Sequence, residues 1–132
     1  MSDAVNNEPG TITWVDLTVK DAGLIRNFYA DVVGWGFTPV RMDGYEDFAM
    51  TARQSGMAVS GICYARGVNA DLPPQWLIYI TVEDLEKCAA RCVELGGKVV
   101  VEPKSMGSQG RYCVIQDPAG AVAALFAPGR SG

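Results

Sequence analysis

Residues 14–21 read Trp-Val-Asp-Leu-Thr-Val-Lys-Asp, and residues 77–84 read Leu-Ile-Tyr-Ile-Thr-Val-Glu-Asp. Both stretches have the side chains of a β-strand and end at an aspartate that can cap a following helix. They start 63 residues apart, and the same spacing separates Gly34 and Gly97, where the two helical patterns stop. The sequence therefore predicts the same structural module twice.

Each module continues with three further strand patterns, which predicts an α+β fold of two tandem βαβββ modules. The modules span about residues 11–65 and 75–128 of a single domain, and a linker rich in turn-forming residues covers 66–74. A unit this small cannot bury a core alone, so we expect a curled mixed sheet around a central cavity, with both helices on its outer face. Residues 1–10 and 129–132 are predicted as flexible tails.

Helical and strand periodicities predict which side chains are buried. The first helix should bury an apolar stripe, and so should the second. Strand alternation turns Val15, Leu17 and Val19 toward the helix. The intervening side chains should face the cavity. The residues of the two helical stripes are Leu24, Ile25, Phe28, Tyr29, Val32 and Val33, then Leu85, Cys88, Ala89, Cys92, Val93 and Leu95. The residues predicted to face the cavity are Trp14, Asp16 and Thr18, with Leu77, Tyr79 and Thr81.

The composition excludes several partners. The 132 residues carry a net charge of −4, and their 11 basic residues are scattered, which argues against binding to nucleic acid or to an anionic membrane. No apolar run approaches the length of a membrane span, and the N-terminus lacks the pattern of a signal peptide, so we expect a cytoplasmic protein. The four cysteines are expected to be reduced in that compartment.

The ordered set of motifs resembles the vicinal oxygen chelate superfamily, which includes glyoxalase I, bleomycin-resistance proteins and extradiol dioxygenases. The resemblance rests on the two repeated stretches quoted above and on four further motifs. These are Asn27-Phe28-Tyr29 with Gly34-Trp35 in the first module, and Leu95-Gly96-Gly97 with Asp117-Pro118-Ala119-Gly120 in the second. It spans about residues 11–128, and it implies the same two-module fold and a homodimer.

Metal-dependent members of that superfamily take one ligand from the first strand and one from the last strand of each module. The resemblance assigns these positions to Trp14, Ser60, Leu77 and Ala124, where Ser60 follows from a 64-residue offset between Gly56 and Gly120. None of these side chains offers the imidazole, carboxylate or thiolate that a transition metal needs, and the chain has no histidine. We therefore expect neither a metal nor another cofactor.

These observations favour a metal-independent protein that binds a small apolar or aromatic molecule, as bleomycin-resistance proteins do. An alternative is a metal-free lyase or isomerase that uses Asp16 with Tyr79 or Arg111 for acid–base chemistry. A third possibility is a structural or regulatory subunit whose pocket is vestigial. The candidate ligand-binding residues are Trp14, Asp16, Phe48, Met50, Ser60, Leu77, Tyr79, Arg111, Tyr112 and Ala124.

Overall fold

The computed structural model describes residues 8–129. Its helices are α1 (Ala22–Val33) and α2 (Leu85–Glu94), and a short 3-10 helix lies at Gly67–Asn69. The strands are β1 (Ile12–Val19), β2 (Gly36–Arg41), β3 (Glu46–Thr51), β4 (Ala58–Tyr64), β5 (Trp76–Thr81), β6 (Lys98–Ser105), β7 (Gly110–Gln116) and β8 (Val122–Pro128). The predicted α+β class and the two βαβββ modules are confirmed.

The described chain forms two compact units. The first unit comprises residues 14–76, and its strands follow the order β2-β3-β4-β1. Strand β1 runs parallel to β4, and the other neighbours are antiparallel.

The second unit comprises residues 77–129 together with the segment 8–13, and its strands follow the order β5-β8-β7-β6. Strand β5 runs parallel to β8, so the second unit repeats the topology of the first. Within the predicted N-terminal tail, the Gly10 N–H donates to the Thr81 carbonyl at 2.8 Å. The rest of that tail, 1–7, and residues 130–132 lie outside the described residues.

Both helices begin and end where the sequence predicts. Asp21 accepts a hydrogen bond from the Leu24 N–H at 3.1 Å, and Asp84 accepts one from Lys87 at 3.0 Å. Each carboxylate thus satisfies an N–H group that has no partner within its helix. Gly34 ends α1 in the left-handed conformation, with φ 77°, which a residue with a Cβ atom rarely adopts.

Each unit has its own hydrophobic core between its helix and its sheet. In the first unit, Ala22 of α1 packs with three buried residues of β3 and β4, namely Phe48, Met50 and Ile62. In the second unit, Leu85 and Ala89 of α2 pack with Cys113 and Leu125. Burial of such side chains against a sheet is the main source of helix stability in a small protein.

The predicted helical stripes are only partly buried. On α1, Leu24, Phe28, Val32 and Val33 keep 62%, 54%, 62% and 51% of their surface exposed. Val93 on α2 is also exposed, and so is Leu95, which directly follows the last residue of that helix. The apolar arc of each helix is wider than the strip that its sheet covers, so periodicity alone overestimated burial.

No helix within residues 8–129 is long and apolar enough to cross a membrane.

Candidate functional site

The side chains with potential chemistry lie on the face of each sheet that its own helix does not cover, here called the helix-free face. In the first unit, the parallel pairing of β1 with β4 places Asp16 beside Gly61 and Thr18 beside Cys63. Leu17 and Ile62 pair on the opposite face, where Ile62 joins the core against α1. Strand alternation therefore places Asp16 on the helix-free face, and its side chain is only 9% exposed.

Trp14 and Gly61 adjoin on this helix-free face. A Cβ atom at Gly61 would lie 3.6 Å from Nε1 of the Trp14 indole and 3.1 Å from Cβ of Asp16. The indole therefore occupies the space beside the glycine, and a side chain at residue 61 would compete with it. A bulky residue on β1 is matched by a residue without a side chain on β4.

Asp47 and Cys63 form a polar contact that sequence analysis did not find. The Cys63 thiol donates to the Asp47 carboxylate, which also accepts the Tyr64 N–H at 2.9 Å. Burial raises the pKa of Asp47, and the hydrogen bonds from Tyr64 and Cys63 and the charge of Arg66 oppose that rise. Burial, reinforced by Asp16 and Asp47, raises the pKa of Cys63 well above its usual range, so this thiol stays neutral.

The helix-free face of the second unit is more apolar. Strand pairing places Ala124 beside Tyr79 and opposite Val114, and the rings of Tyr79 and Tyr112 lie 6.3 Å apart. Leu77 shares this face because it lies two residues before Tyr79 on β5. All five side chains are buried, with at most 9% of their surface exposed. Six of the ten candidate residues thus lie on helix-free faces: Trp14, Asp16, Leu77, Tyr79, Tyr112 and Ala124.

Phe48 and Met50 lie on the other side of their sheet, contrary to their assignment as ligand-binding residues. Both belong to the core of the first unit and pack with Ile62. The sequence pattern of β3 is apolar at every second position, which fits burial on either face. Only the pairing of Phe48 with Ile62 fixes the face that this strand turns toward α1.

Ser60 is also on the helix side, because it pairs with Met50 across β3 and β4. The predicted 64-residue offset was wrong for this strand. Gly61 pairs with Asp16, and Ala124 pairs with Tyr79. Gly61 and Ala124 are therefore the true counterparts, and they lie 63 residues apart, as Asp16 and Tyr79 do. The pairing of β3 with β4 shifts in register between Met50 and Thr51, and this irregularity accounts for the one residue by which the offsets of 63 and 64 differ. The Ser60 hydroxyl is buried and has no hydrogen-bond partner among the described residues.

Arg111 does not share a face with Tyr112, its neighbour in β7. Its guanidinium forms an ion pair with Glu86 of α2, on the helix side of the sheet. The hydrogen bond from Arg111 lowers the pKa of Glu86, and that same bond raises the pKa of the guanidinium. The predicted role of Arg111 beside Asp16 or Tyr79 is therefore not supported by its position. The Glu86–Arg111 pair instead borders a surface groove of about 940 Å³ at the start of α2.

Strand pairing corrects one of the four metal positions that the family resemblance implies, because Gly61 rather than Ser60 is the counterpart of Ala124. With this correction the positions are Trp14 and Gly61 in the first unit, and Leu77 and Ala124 in the second. An indole, a leucine, an alanine and a glycine supply no donor for zinc, manganese, nickel or iron, so this set does not fit a metal ion. Within residues 8–129, no three side chains of the Cys, Asp or Glu types form a group that could hold one.

Comparison with known proteins identifies the family. The model of the Glyoxalase/Bleomycin resistance protein/Dioxygenase superfamily matches residues 11–125. The chain belongs to this superfamily. The resemblance inferred from the two repeated stretches is therefore confirmed, and this superfamily member keeps the fold while it lacks donors at the metal positions.

Two curated relatives cover nearly the whole chain. "Putative glyoxylase CFP32" of Mycobacterium tuberculosis is 33% identical over 122 residues, which are 92% of this chain and 47% of that protein. "Anthracycline biosynthesis protein DnrV" of Streptomyces peucetius is 28% identical over 133 residues, covering 92% of this chain and 48% of that protein. The chain thus spans about half the length of the curated relatives it matches.

Two solved structures share the fold of this superfamily member. Methylmalonyl-CoA epimerase from Mycobacterium tuberculosis superposes with a TM-score of 0.55 at 18% identity, over 98% of this chain and 93% of the epimerase. The Mn(II)-bound glyoxalase from Novosphingobium aromaticivorans gives a TM-score of 0.56 at 21% identity, over 94% of this chain and 42% of the glyoxalase. At these identities, the likeness concerns the fold alone.

Proposed function

We propose that this superfamily member is a metal-independent small-molecule-binding protein of the glyoxalase and bleomycin-resistance type. Its ligand is an apolar or aromatic molecule. Side chains of the helix-free faces hold this ligand in the cavity that the sequence predicts. The observation that carries the proposal is the chemistry at Trp14, Gly61, Leu77 and Ala124. Four positions that hold metal ligands in metal-dependent relatives here carry apolar groups.

The composition of the helix-free faces supports an aromatic ligand. Tyr79 and Tyr112 offer two rings, and Leu77, Val114 and Ala124 surround them with aliphatic groups. Trp14 adds a large rigid surface in the first unit. Ligand sites are commonly lined in this way, with few polar groups among apolar and aromatic side chains.

Asp16 supplies the polar group that would orient the ligand. A carboxylate accepts hydrogen bonds and attracts cations, so a ligand bearing an amine or hydroxyl group can bind to Asp16 in addition to the interactions that this residue already makes. The names of two relatives refer to anthracycline biosynthesis, and anthracyclines are planar aromatic molecules that carry such polar groups. This favours, for the present chain, an aromatic ligand with a hydrogen-bond donor.

Tryptophan fluorescence provides the test. Titration of the metal-free protein with an anthracycline should quench its fluorescence saturably. The chain has three tryptophans, so the contribution of each can be separated. The Trp14→Phe variant should lose most of the quenching and bind more weakly. The Trp35→Phe variant is the control, since Trp35 packs with Tyr29 and Trp76 against the core of the first unit.

Two results would contradict the binding proposal. One is an absence of saturable binding by anthracyclines and by a panel of smaller aromatic compounds. The other is equal quenching in the Trp14→Phe and wild-type proteins with unchanged affinity, since it would remove the ligand from the helix-free face. The first result would instead favour a vestigial pocket in a structural or regulatory subunit.

A metal-free lyase or isomerase is the second candidate, and the burial of Asp16 is the observation that favours it. Buried carboxylates on a ligand-binding face are frequent general bases. The Asp16→Asn change keeps the shape and a hydrogen-bonding oxygen but removes the base. Turnover that disappears in this variant while ligand binding persists would establish the enzyme. Binding by both proteins without turnover in either would exclude it for the ligands tested.

A further inference from the structure

A row of small side chains crosses the helix-free face of the first unit. Gly61 on β4 pairs with Ala49 on β3, and Ala49 pairs with Thr38 on β2. Paired residues point to the same face of a sheet, and Gly61 shares the helix-free face with Asp16. Ala49 and Thr38 therefore lie on that face as well, and we name Gly61, Ala49 and Thr38 the floor row.

Larger groups border the floor row on both sides. On one side lies the Trp14 indole, because a Cβ atom at Gly61 would be 3.6 Å from its Nε1 and 3.7 Å from its Cζ2. On the other side, Cys63 lies two residues after Gly61 on β4, and Asp47 lies two residues before Ala49 on β3. The thiol of Cys63 donates to the Asp47 carboxylate across these strands. The floor row is therefore a low strip between an aromatic ring and a hydrogen-bonded polar pair.

The length of the floor row sets the size of the ligand that it can accept. Neighbouring strands lie about 4.8 Å apart, so the two strand spacings from Gly61 to Thr38 cover about 10 Å. Exposure rises along the row, since Gly61 is buried, Ala49 is half-buried and Thr38 is exposed. A single aromatic ring covers only the Gly61 end, whereas a linear fused-ring system extends over Ala49 toward Thr38.

We propose that a planar ligand of two or more fused rings lies on the floor row, and that Ala49 determines how many rings fit. This inference rests on the proposed function and adds the class of aromatic ligand. The face of the ring system contacts the Ala49 methyl group and the Gly61 backbone, with the Trp14 indole at its side. A larger side chain at residue 49 would block the row and leave its Gly61 end open.

Charges on this face favour a ring system that carries an amine. Strands β1 to β4 place two acidic residues on the helix-free face, Asp16 and Asp47, and no Lys or Arg. Arg66, whose charge acts on Asp47, follows the end of β4 and stacks on the Tyr45 ring at 4.0 Å. An amine beside the floor row is attracted to Asp16, whereas an anionic group there is repelled.

A series of probes that differ only in ring number tests the inference. Benzylamine, 2-naphthylmethylamine and 2-anthracenylmethylamine carry the same amine on one, two and three rings. Titration calorimetry with the wild-type protein should show affinity rising with each ring. In Ala49→Leu, the two- and three-ring probes should bind about tenfold more weakly, because the larger side chain occupies their space. Benzylamine should bind this variant as it binds the wild type.

Two further variants complete the design. Thr38→Leu changes an exposed residue at the far end of the floor row, so it should weaken only the three-ring probe. Ala123→Leu is the matched control, since Ala123 is also a half-buried strand alanine but pairs with Ile115 on the helix side of the second unit. It should leave all three affinities unchanged. Thermal unfolding checks that each variant is folded.

The outcomes separate this inference from the proposed function. If neither these probes nor an anthracycline binds the wild-type protein, the proposed function is wrong and the inference falls with it. If the probes bind but affinity does not rise with ring number, only the inference is wrong. The same holds if Ala49→Leu weakens all three probes equally, leaves the larger two unaffected, or acts no differently from Ala123→Leu.

Discussion

Asp16 on β1 pairs with Gly61 on β4, and a Cβ atom on Gly61 would approach that of Asp16 to 3.1 Å. The same pairing brings residue 61 against the Trp14 indole. In the second unit, Tyr79 and Ala124 stand in the corresponding places. This relationship identifies Gly61 as the counterpart of Ala124, and it explains why a large residue at 14 coexists with a glycine at 61.

Gly61→Ala should destabilise the protein by about 1–3 kcal/mol, because the added methyl group overpacks a buried strand pair. Urea unfolding measures this free energy. The Asp16→Gly change removes the opposing Cβ atom, so the double variant should lose less stability than the sum of the two single changes. Strict additivity would show that residues 16 and 61 do not oppose each other.

The stability of the wild-type protein should depend on pH through Asp47. Its pKa is raised above the ordinary 3.8, so the folded state binds this proton more tightly than the unfolded state. The resulting stabilisation is complete below the unfolded pKa and is lost as pH rises through the folded pKa. The Asp47→Asn variant has no titrating carboxyl group at this position, so it does not lose stability in this way. Its amide oxygen can still accept the Tyr64 N–H. The stability of the variant relative to wild type should therefore increase from about pH 3 to about pH 7.

Urea unfolding at several pH values, with both proteins in parallel, measures this difference. Glu86 titrates in the opposite sense because its pKa is lowered, but it is present in both proteins and cancels. A difference in unfolding free energy between the two proteins that stays constant with pH would contradict the raised pKa of Asp47.

Ser60→Ala should leave stability unchanged or raise it by about 1 kcal/mol, since it removes a buried hydroxyl without a partner. Thr81→Val is the matched control. The Thr81 hydroxyl donates to that of Thr13 at 3.2 Å and is equally buried. We expect the control to lose about 1 kcal/mol by thermal unfolding. If Ser60→Ala destabilises the protein as much as the control does, the Ser60 hydroxyl has a hydrogen-bond partner and this account of Ser60 is wrong.

Arg111→Gln should have no effect on ligand affinity, because the side chain pairs with Glu86 on the helix side of β7. Tyr112→Ala should weaken binding, since Tyr112 lies on the opposite face with Tyr79. Titration calorimetry with the same anthracycline compares the two variants. A greater loss of affinity in Arg111→Gln than in Tyr112→Ala would reverse the assignment of faces.

The sequence was sufficient to predict the fold because local signals agreed with the repeat. Asp21 and Asp84 cap the helices, and Gly34 ends α1, as their residue types predict. The positions of Trp14, Asp16, Leu77 and Tyr79 followed from strand alternation in the first strand of each module, where the register was anchored by the helix that follows.

The later strands were harder to place, because strand register depends on pairing that the sequence does not reveal. A shift of one residue moved Ser60 to the wrong face and concealed Gly61. The contact between Asp47 and Cys63 depends on the same register, so it was missed as well. An offset of 63 applied to the last strand would have given Gly61 rather than Ser60 as the counterpart of Ala124.

The most direct test of the central claim is the metal content of the purified protein, measured by mass spectrometry after incubation with zinc, manganese, nickel or iron(II) and extensive dialysis. Because Trp14, Gly61, Leu77 and Ala124 supply no donors, we predict far less than one ion per chain, and ligand binding that EDTA leaves unchanged. One tightly held ion per chain, whose removal abolishes binding, would contradict the account.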